Sequence, residues 1–291
     1  MARYDTTDLC DKIRKIEAIP SSSNTFTDAD LTELLNMELQ SYVVPVIQKV
    51  REEYFVIVEN QVLVGNAITI PPAAIGLRLR DIAIWDESGQ ALTFIPMLSP
   101  EELNNGNMFG YTLRNEQVIF SMVPAGVTLA ISYFKRPNDL TVNDYCVVAA
   151  KLGGNQVTVT GMPSTWVGTE SVDIIGKTVP FIGKSVEVTA TITNATTITL
   201  PADVYAQVVV GDFIAATGYS PVPQYIPVEA HTLLIQSAAL RCLQSLGDRD
   251  GWKVSSQKLG RMEADLISLI TPRVVSQYKK IVNSRTIKQF V

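Results

Sequence analysis

Leu39-Gln40-Ser41-Tyr42-Val43-Val44-Pro45-Val46-Ile47-Gln48-Lys49-Val50-Arg51-Glu52-Glu53-Tyr54-Phe55-Val56-Ile57-Val58 is where this chain changes period. Up to Val50, the residues Leu31, Leu34, Leu35, Leu39, Tyr42, Val46, Ile47 and Val50 recur at helical spacing and form one apolar stripe. From Tyr54 the residues are β-branched and aromatic, in a run too short for a helix. Pro45 interrupts the helical part. It removes a backbone hydrogen bond and crowds the turn before it, which predicts a kink near Ser41–Pro45.

Working outward from this junction, helical sequence occupies only the two ends. Leu9, Ile13 and Ile16 define a short first helix, ended by Pro20 and the run Ser21-Ser22-Ser23-Asn24. Thr27 and Asp30 form the pattern of a capping box, with Asp in place of the usual Glu. Helical spacing returns after Pro227, with Leu233, Leu234, Ala238, Leu240 and Leu243, and Gly247 stops it. A last helix covers roughly 253–271, with Leu259, Met262, Leu266, Leu269 and Ile270 on one side and Pro272 after it.

The sequence between reads as strands and turns. Ile68-Thr69-Ile70, Leu77–Ile84, Leu92–Ile95, Tyr111–Leu113, Val118–Val123 and Thr128–Phe134 are strand candidates. Asp86-Glu87-Ser88-Gly89 reads as a hairpin loop. Ser99-Pro100-Glu101-Glu102 reads as the start of a short helix, and Pro137-Asn138-Asp139 closes the run of strands. Residues 145–219 are rich in Thr, Val and Gly and fit a small barrel or sandwich. Within them Val147 to Val159 aligns with Val188 to Leu200, and each stretch is followed by an acidic-apolar run, Asp173-Ile174-Ile175 and Asp212-Phe213-Ile214. The reading is a duplicated strand pair, set against chance likeness between Thr/Val-rich strands.

The expected fold class is α+β. A helical base forms from the N- and C-terminal helices (1–53 and 227–272). Antiparallel β-sandwich or barrel units are inserted at 54–140 and 145–219, and an extended basic C-terminal tail covers 273–291. Bringing the ends together across about 170 residues, rather than 10, costs only about 2.5 kcal/mol in loop entropy. Burying one Leu or Ile gains about 1.5–3 kcal/mol. The ends hold more than ten such residues, so burial wins.

The formal net charge of -5 and pI near 5.1 argue against a duplex-DNA binder that relies on bulk electrostatics. Residues 1–60 hold six Lys/Arg and eleven Asp/Glu, whereas 273–291 hold five basic residues and no acidic one. Cys10, Cys146 and Cys242 have no metal or disulfide spacing, so buried reduced thiols and a reducing cytosol are expected. No stretch spans a membrane and none resembles a signal peptide. His231, the only histidine, excludes a His-rich metal site and reads as a core-edge or surface residue. Asp248-Arg249-Asp250-Gly251 lacks the Glu of a calcium loop, because Leu259 stands there; it reads as a turn between helices. Trp85, Trp166 and Trp252 read as packing residues. Neither cofactor nor metal is expected.

The tail is the candidate functional segment. Val274, Tyr278, Ile281 and Val282 start at helical spacing, and Thr286–Val291 alternates like a strand. Nineteen residues cannot form a core alone, and each costs about 1–2 kcal/mol of backbone entropy to order. A partner would supply the compensation, for example by strand addition.

Ile19-Pro20-Ser21-Ser22-Ser23-Asn24-Thr25-Phe26-Thr27-Asp28-Ala29-Asp30-Leu31 resembles the start of phage structural proteins placed near neck genes. So do Glu52-Glu53-Tyr54-Phe55, Pro71-Pro72-Ala73-Ala74-Ile75-Gly76-Leu77-Arg78-Leu79-Arg80-Asp81 and Tyr133-Phe134-Lys135-Arg136-Pro137-Asn138-Asp139-Leu140. The resemblance, over about residues 5–140, is to the head-to-tail connectors (neck adaptors) of tailed phages. It implies a non-enzymatic virion protein at the portal vertex, assembled in the host cytoplasm as a homo-oligomeric ring, commonly twelvefold. Its partners would be the portal protein and tail or other neck proteins, with DNA passing the lumen unread and no membrane involved. The C-terminal extension would grip the portal through Arg273, Val274, Tyr278, Lys279, Lys280, Ile281, Arg285, Ile287, Lys288 and Phe290. The large β unit 145–219 departs from the family. Two other readings stand beside this one: a tail-tube, baseplate or fibre-attachment protein, and a carboxylate-based hydrolase, although no Asp/Glu pair has a diagnostic spacing.

Overall fold

A computed structural model describes residues 4–16, 26–85, 92–99, 101–102 and 108–271. The terminator Pro20–Asn24, the loop Asp86–Gly89, Pro100 and the tail 273–291 lie outside the described residues. The chain is a mixture of helix and strand that contains a closed antiparallel six-strand barrel and three further sheets.

Helix α1 (Thr6–Ile16) buries Leu9, Cys10 and Ile13, but Ile16 is exposed among the described residues, contrary to the predicted stripe. Helix α2 (Asp28–Glu38) starts with the expected capping box. Asp30 N–H donates to Thr27 Oγ1 at 3.2 Å, and Thr27 N–H donates to the Asp30 carboxylate at 2.8 Å. The Thr27 hydroxyl, which donates to the Asp30 carboxylate at 2.6 Å, and then the Thr27 N–H hold the Asp30 carboxyl below its ordinary range. Where a kink is predicted, a π-helical turn (Leu39–Val43) leads into α3 (Val44–Val50). Val44 N–H bonds Leu39 O, five residues back, so the ladder is reset by one residue just before Pro45, which has no N–H to give.

The first β region has two antiparallel sheets. One orders its strands β1-β7-β3-β4, with β1 Val56–Val62, β3 Ala74–Trp85, β4 Leu92–Phe94 and β7 Thr128–Lys135. The other is β2-β6-β5, with β2 Ala67–Thr69, β5 Gly110–Arg114 and β6 Gln117–Ser121. Ile82, Leu129 and Ile131 of the first meet Ile68, Val118 and Phe120 of the second in a shared apolar core. Ser99 and Glu102 bond each other reciprocally, backbone to side chain, as the cap reading required. The segment Pro96–Leu98 crosses β5 so closely that a Cβ on Gly110 would lie 2.7 Å from Pro96 O and 2.5 Å from Leu98 Cγ. Gly110→Ala is therefore expected to destabilise the protein by about 1–3 kcal/mol through overpacking, read as a lower urea midpoint.

Pro137-Asn138-Asp139 does not simply end the strands. A short strand, β8 (Asp139–Leu140), pairs in parallel with β15 (Tyr219–Ser220) and ties the two ends of the intervening barrel together. The barrel closes in the order β10-β13-β12-β11-β14-β9. Its strands are β9 Tyr145–Lys151, β10 Gln156–Thr160, β11 Thr169–Ile175, β12 Gly183–Asn194, β13 Thr197–Thr199 and β14 Phe213–Ala216, and the short helix α4 (Ala202–Gln207) precedes β14. Exchanging β9, β10 and β11 for β12, β13 and β14 leaves this ring of neighbours unchanged, so the topology repeats as the internal alignment predicts. Both aligned stretches fall on hairpins, and closure leaves the interior to Val148, Val157, Trp166, Ile174, Ala190, Ile198 and Ile214.

Helix α5 (Val228–Leu246) follows Pro227, which serves as its cap rather than its first residue; Gly247, at φ 73°, ends it. Asp248 caps α6 (Arg249–Ile270), accepting from Gly251 N–H at 2.9 Å. Leu9 and Ile13 of α1, Leu31 and Leu35 of α2, Val46 and Ile47 of α3, Leu234 and Ala238 of α5, and Leu266 and Ile270 of α6 share one core. Arg241 of α5 donates to buried Glu38 of α2 at 2.7 Å. Helix α6 buries less than predicted. Leu259 and Met262 are half-buried, Leu269 is 62 % exposed and Trp252 is 42 % exposed, because among the described residues only one side of this helix has neighbours.

Candidate functional site

The ten predicted tail residues, Arg273 to Phe290, lie outside the described residues. The last described residues are placed: Thr271 caps α6, and Arg51 Nη1 donates to Ile270 O at 3.4 Å, so the C-terminal end of α6 lies beside the junction of α3 and β1. Arg51 also pairs with Glu53 there and lies 5.5 Å from the Tyr54 ring.

A cleft of about 700 Å³ opens between the β1–β7 edge of the first sheet and the start of β12. Leu129, Ile131, Tyr133 and Lys135 alternate along β7 and point to one face. The first three fill the core between the two sheets, and Lys135 ends the row at the cleft, 3 % exposed. Its ammonium makes no hydrogen bond or ion pair among the described residues, and its Nζ is 5.9 Å from the Tyr225 ring. Burial lowers its pKa, and the carboxylates of Asp173, Glu59 and Glu187 pull in the opposite direction. Tyr133 donates its hydroxyl to Glu59 at 3.2 Å, and burial followed by that carboxylate raises its pKa. Gly183 closes the end of the cleft. Its N–H donates to Tyr225 Oη at 3.2 Å, and a Cβ there would stand 2.7 Å from that oxygen. Burial pushes the Tyr225 phenol up to about 12. Chemically, the cleft offers a desolvated ammonium with unused donors, two carboxylates and apolar walls such as Ile57, Val62 and Ile70.

Two buried aspartates brace the barrel. Asp173, 2 % exposed, accepts from Glu187 N–H at 2.8 Å, Gly218 N–H at 3.0 Å and Asn138 Nδ2 at 2.6 Å. Asp212, 1 % exposed, accepts from Val209 N–H at 2.7 Å, Lys177 N–H at 3.1 Å and Lys184 Nζ at 2.6 Å. Each takes the backbone N–H of the turn that follows the other's strand: Gly218 lies just past β14, and Lys177 just past β11. The alignment that paired Asp173 with Asp212 picked out these equivalent latches, but not their chemistry.

A third feature is apolar. Register places Gly110 opposite Ser121, which sets Phe109 beside Met122, and Met97 bridges to Tyr111. Phe94, Met97 and Met122 are each more than 60 % exposed at this end of the first β region. Flexible methionines on such a surface suit an adaptable protein contact.

His231 is in the core, not at its edge as predicted. It has no exposed surface, sits edge-on to Tyr4 at 4.6 Å and stacks on Phe181 at 6.1 Å, and neither ring nitrogen has a hydrogen-bond partner among the described residues. The three cysteines are free and buried. No group of His, Cys, Asp and Glu among the described residues could hold a metal ion, and none of their helices is long and apolar enough to cross a membrane.

Sequence reading missed Lys135, Glu59, Glu187 and Tyr225 as a group. A lysine in register with three core residues of one strand was the available signal for the cleft. An aspartate inside an apolar strand was the signal for the latches. Comparison of the chain with protein-family models and with curated proteins returns no match.

Proposed function

We propose that this chain is a structural virion protein, a head-to-tail adaptor that docks on a portal ring and joins it to the tail while DNA passes. The observation that carries the reading is the shared core of the terminal helices α1, α2, α5 and α6. In this reading those helices are the base set against the portal. The basic segment 273–291 follows α6, whose end lies beside Arg51, and supplies the portal grip in this reading. The β regions then stand away from it, and the exposed Phe94, Met97 and Met122 meet a tail or neck protein. The packing and turn patterns of residues 5–140, similar to those of neck adaptors, support the same assignment.

Removal of 273–291 is expected to abolish co-assembly with the portal, observed by electron microscopy of the mixture. Circular dichroism and the thermal midpoint are expected to stay within a few degrees of the full chain. A trimmed protein that decorates portal rings as well as the full chain does would overturn the tail's role.

A further inference from the structure

We propose that the groove between α1, α5 and α6 receives α2 of a second copy of this chain. The groove has a volume of about 370 Å³, with Ile16, Ile235 and Met262 as apolar lining and Lys12, Lys15 and Lys258 around it. Among the described residues no acidic side chain lines it, and none of the three lysines makes an ion pair. Gln236, 1 % exposed, lines it too, and its Nε2 has no hydrogen-bond partner among them. Buried amide donors are nearly always satisfied, and three neighbouring ammonium groups repel. Both features call for acceptors and negative charge from outside the subunit.

Helix α2 has that chemistry. Its residues Asp28–Glu38 include four carboxylates and no basic side chain. Glu38 is taken up by Arg241 and Asp28 by Arg14 inside the subunit, whereas Asp30 and Glu33 are exposed and form no ion pair among the described residues. Asp30, Glu33 and Met37 are spaced i, i+3, i+7 and share one face, and Met37 stands 57 % exposed among them. An apolar knob flanked by carboxylates thus matches an apolar groove flanked by ammonium groups. Leu31 and Leu35 anchor α2 in its own core, and no α2 residue lines the groove, so an α2 seated there belongs to another molecule. Contact between two different faces is heterologous and propagates from copy to copy into a ring or an open chain. The inference depends on these two faces and not on the adaptor reading.

The test is sedimentation velocity of the full chain over a concentration series at low salt. Lys15→Glu combined with Lys258→Glu reverses the groove, and Glu33→Lys reverses the stripe. Each variant alone is expected to associate at least tenfold more weakly than the natural chain. A one-to-one mixture of the two is expected to regain association, because each then offers the other a complementary face. Met37→Ser, which changes no charge, is expected to weaken association too, with an unaltered circular dichroism spectrum. A natural chain that stays monomeric throughout, variants that sediment like it, or a mixture that fails to recover would each overturn the proposal. Self-association through these faces without any portal binding would sink the adaptor reading alone.

Discussion

Asp212→Ala is expected to cost the fold about 3–5 kcal/mol, because the carboxylate it removes is buried and fully used. The carboxylate is 1 % exposed and collects Val209 N–H, Lys177 N–H and the Lys184 ammonium. Alanine leaves two backbone donors without their acceptor, each costing about 1–3 kcal/mol, and strands a partly buried ammonium. Lys184 is 27 % exposed on its side chain and keeps Gln207 O at 3.1 Å, so its share is the smallest. Asp212→Asn preserves shape but turns one acceptor into a donor, and an intermediate loss is expected. The measurement is urea unfolding followed by Trp166 fluorescence, since that ring lies in the barrel core. A shift in midpoint at constant slope reports stability. A loss below about 1 kcal/mol for the alanine variant would mean that water replaces the carboxylate and that the latch is not structural. Asp173→Ala tests the equivalent position, where Glu187 N–H, Gly218 N–H and Asn138 lose their acceptor.

These aspartates show how far the sequence could be read. The α+β class and the strands of the barrel followed from local period, because Thr and Val alternation and turn residues act over a few positions. The capping box at Thr27–Asp30 and the stop at Gly247 were legible for the same reason: each is a bond or a backbone angle within four residues. The π-turn before Pro45 was legible as a disturbance but not as a shape, since the choice between bending and inserting a residue depends on what α3 packs against. Closure of the barrel was not legible. It requires β14 to find both β9 and β11, pairings of about 40 to 70 residues in separation that no local pattern encodes. The cleft at Lys135 failed for the same reason. Its lysine comes from β7, its carboxylates from β1 and β12, and its closing tyrosine from the approach to α5. The exposure of Ile16 and Leu269 marks the reverse case, in which helical period was right but no neighbour among the described residues buries the side chain.

His231→Leu is expected to flatten the acid side of the stability profile. The imidazole is fully buried between Tyr4 and Phe181, with both nitrogens unpaired. Burial, reinforced by the nearby Lys12 charge, lowers its pKa from 6.5 to about 4. The sign follows from proton uptake. As pH falls through 6.5 the unfolded chain protonates His231, while the folded chain resists until about 4. Between those values the unfolded state binds more protons, so stability is full above pH 6.5 and is lost as pH falls towards 4. A gap of that size corresponds to about 3 kcal/mol from this one group, at 1.36 kcal/mol per pKa unit. Leucine has no proton to bind, so the variant lacks this loss. Urea unfolding at pH 7 and at pH 4.5 gives the difference between variant and natural chain at each pH, and carboxylate titrations common to both cancel. The difference is expected to move in favour of the leucine variant by about 2–3 kcal/mol on going to pH 4.5. An unchanged difference at the two pH values would mean that the ring is protonated inside the fold, or reached by water, and that the burial seen around it is not maintained in solution. At pH 7 the exchange removes two unpaired buried nitrogens and replaces them with apolar contact to Tyr4 and Phe181, so the leucine variant is expected to be no less stable there.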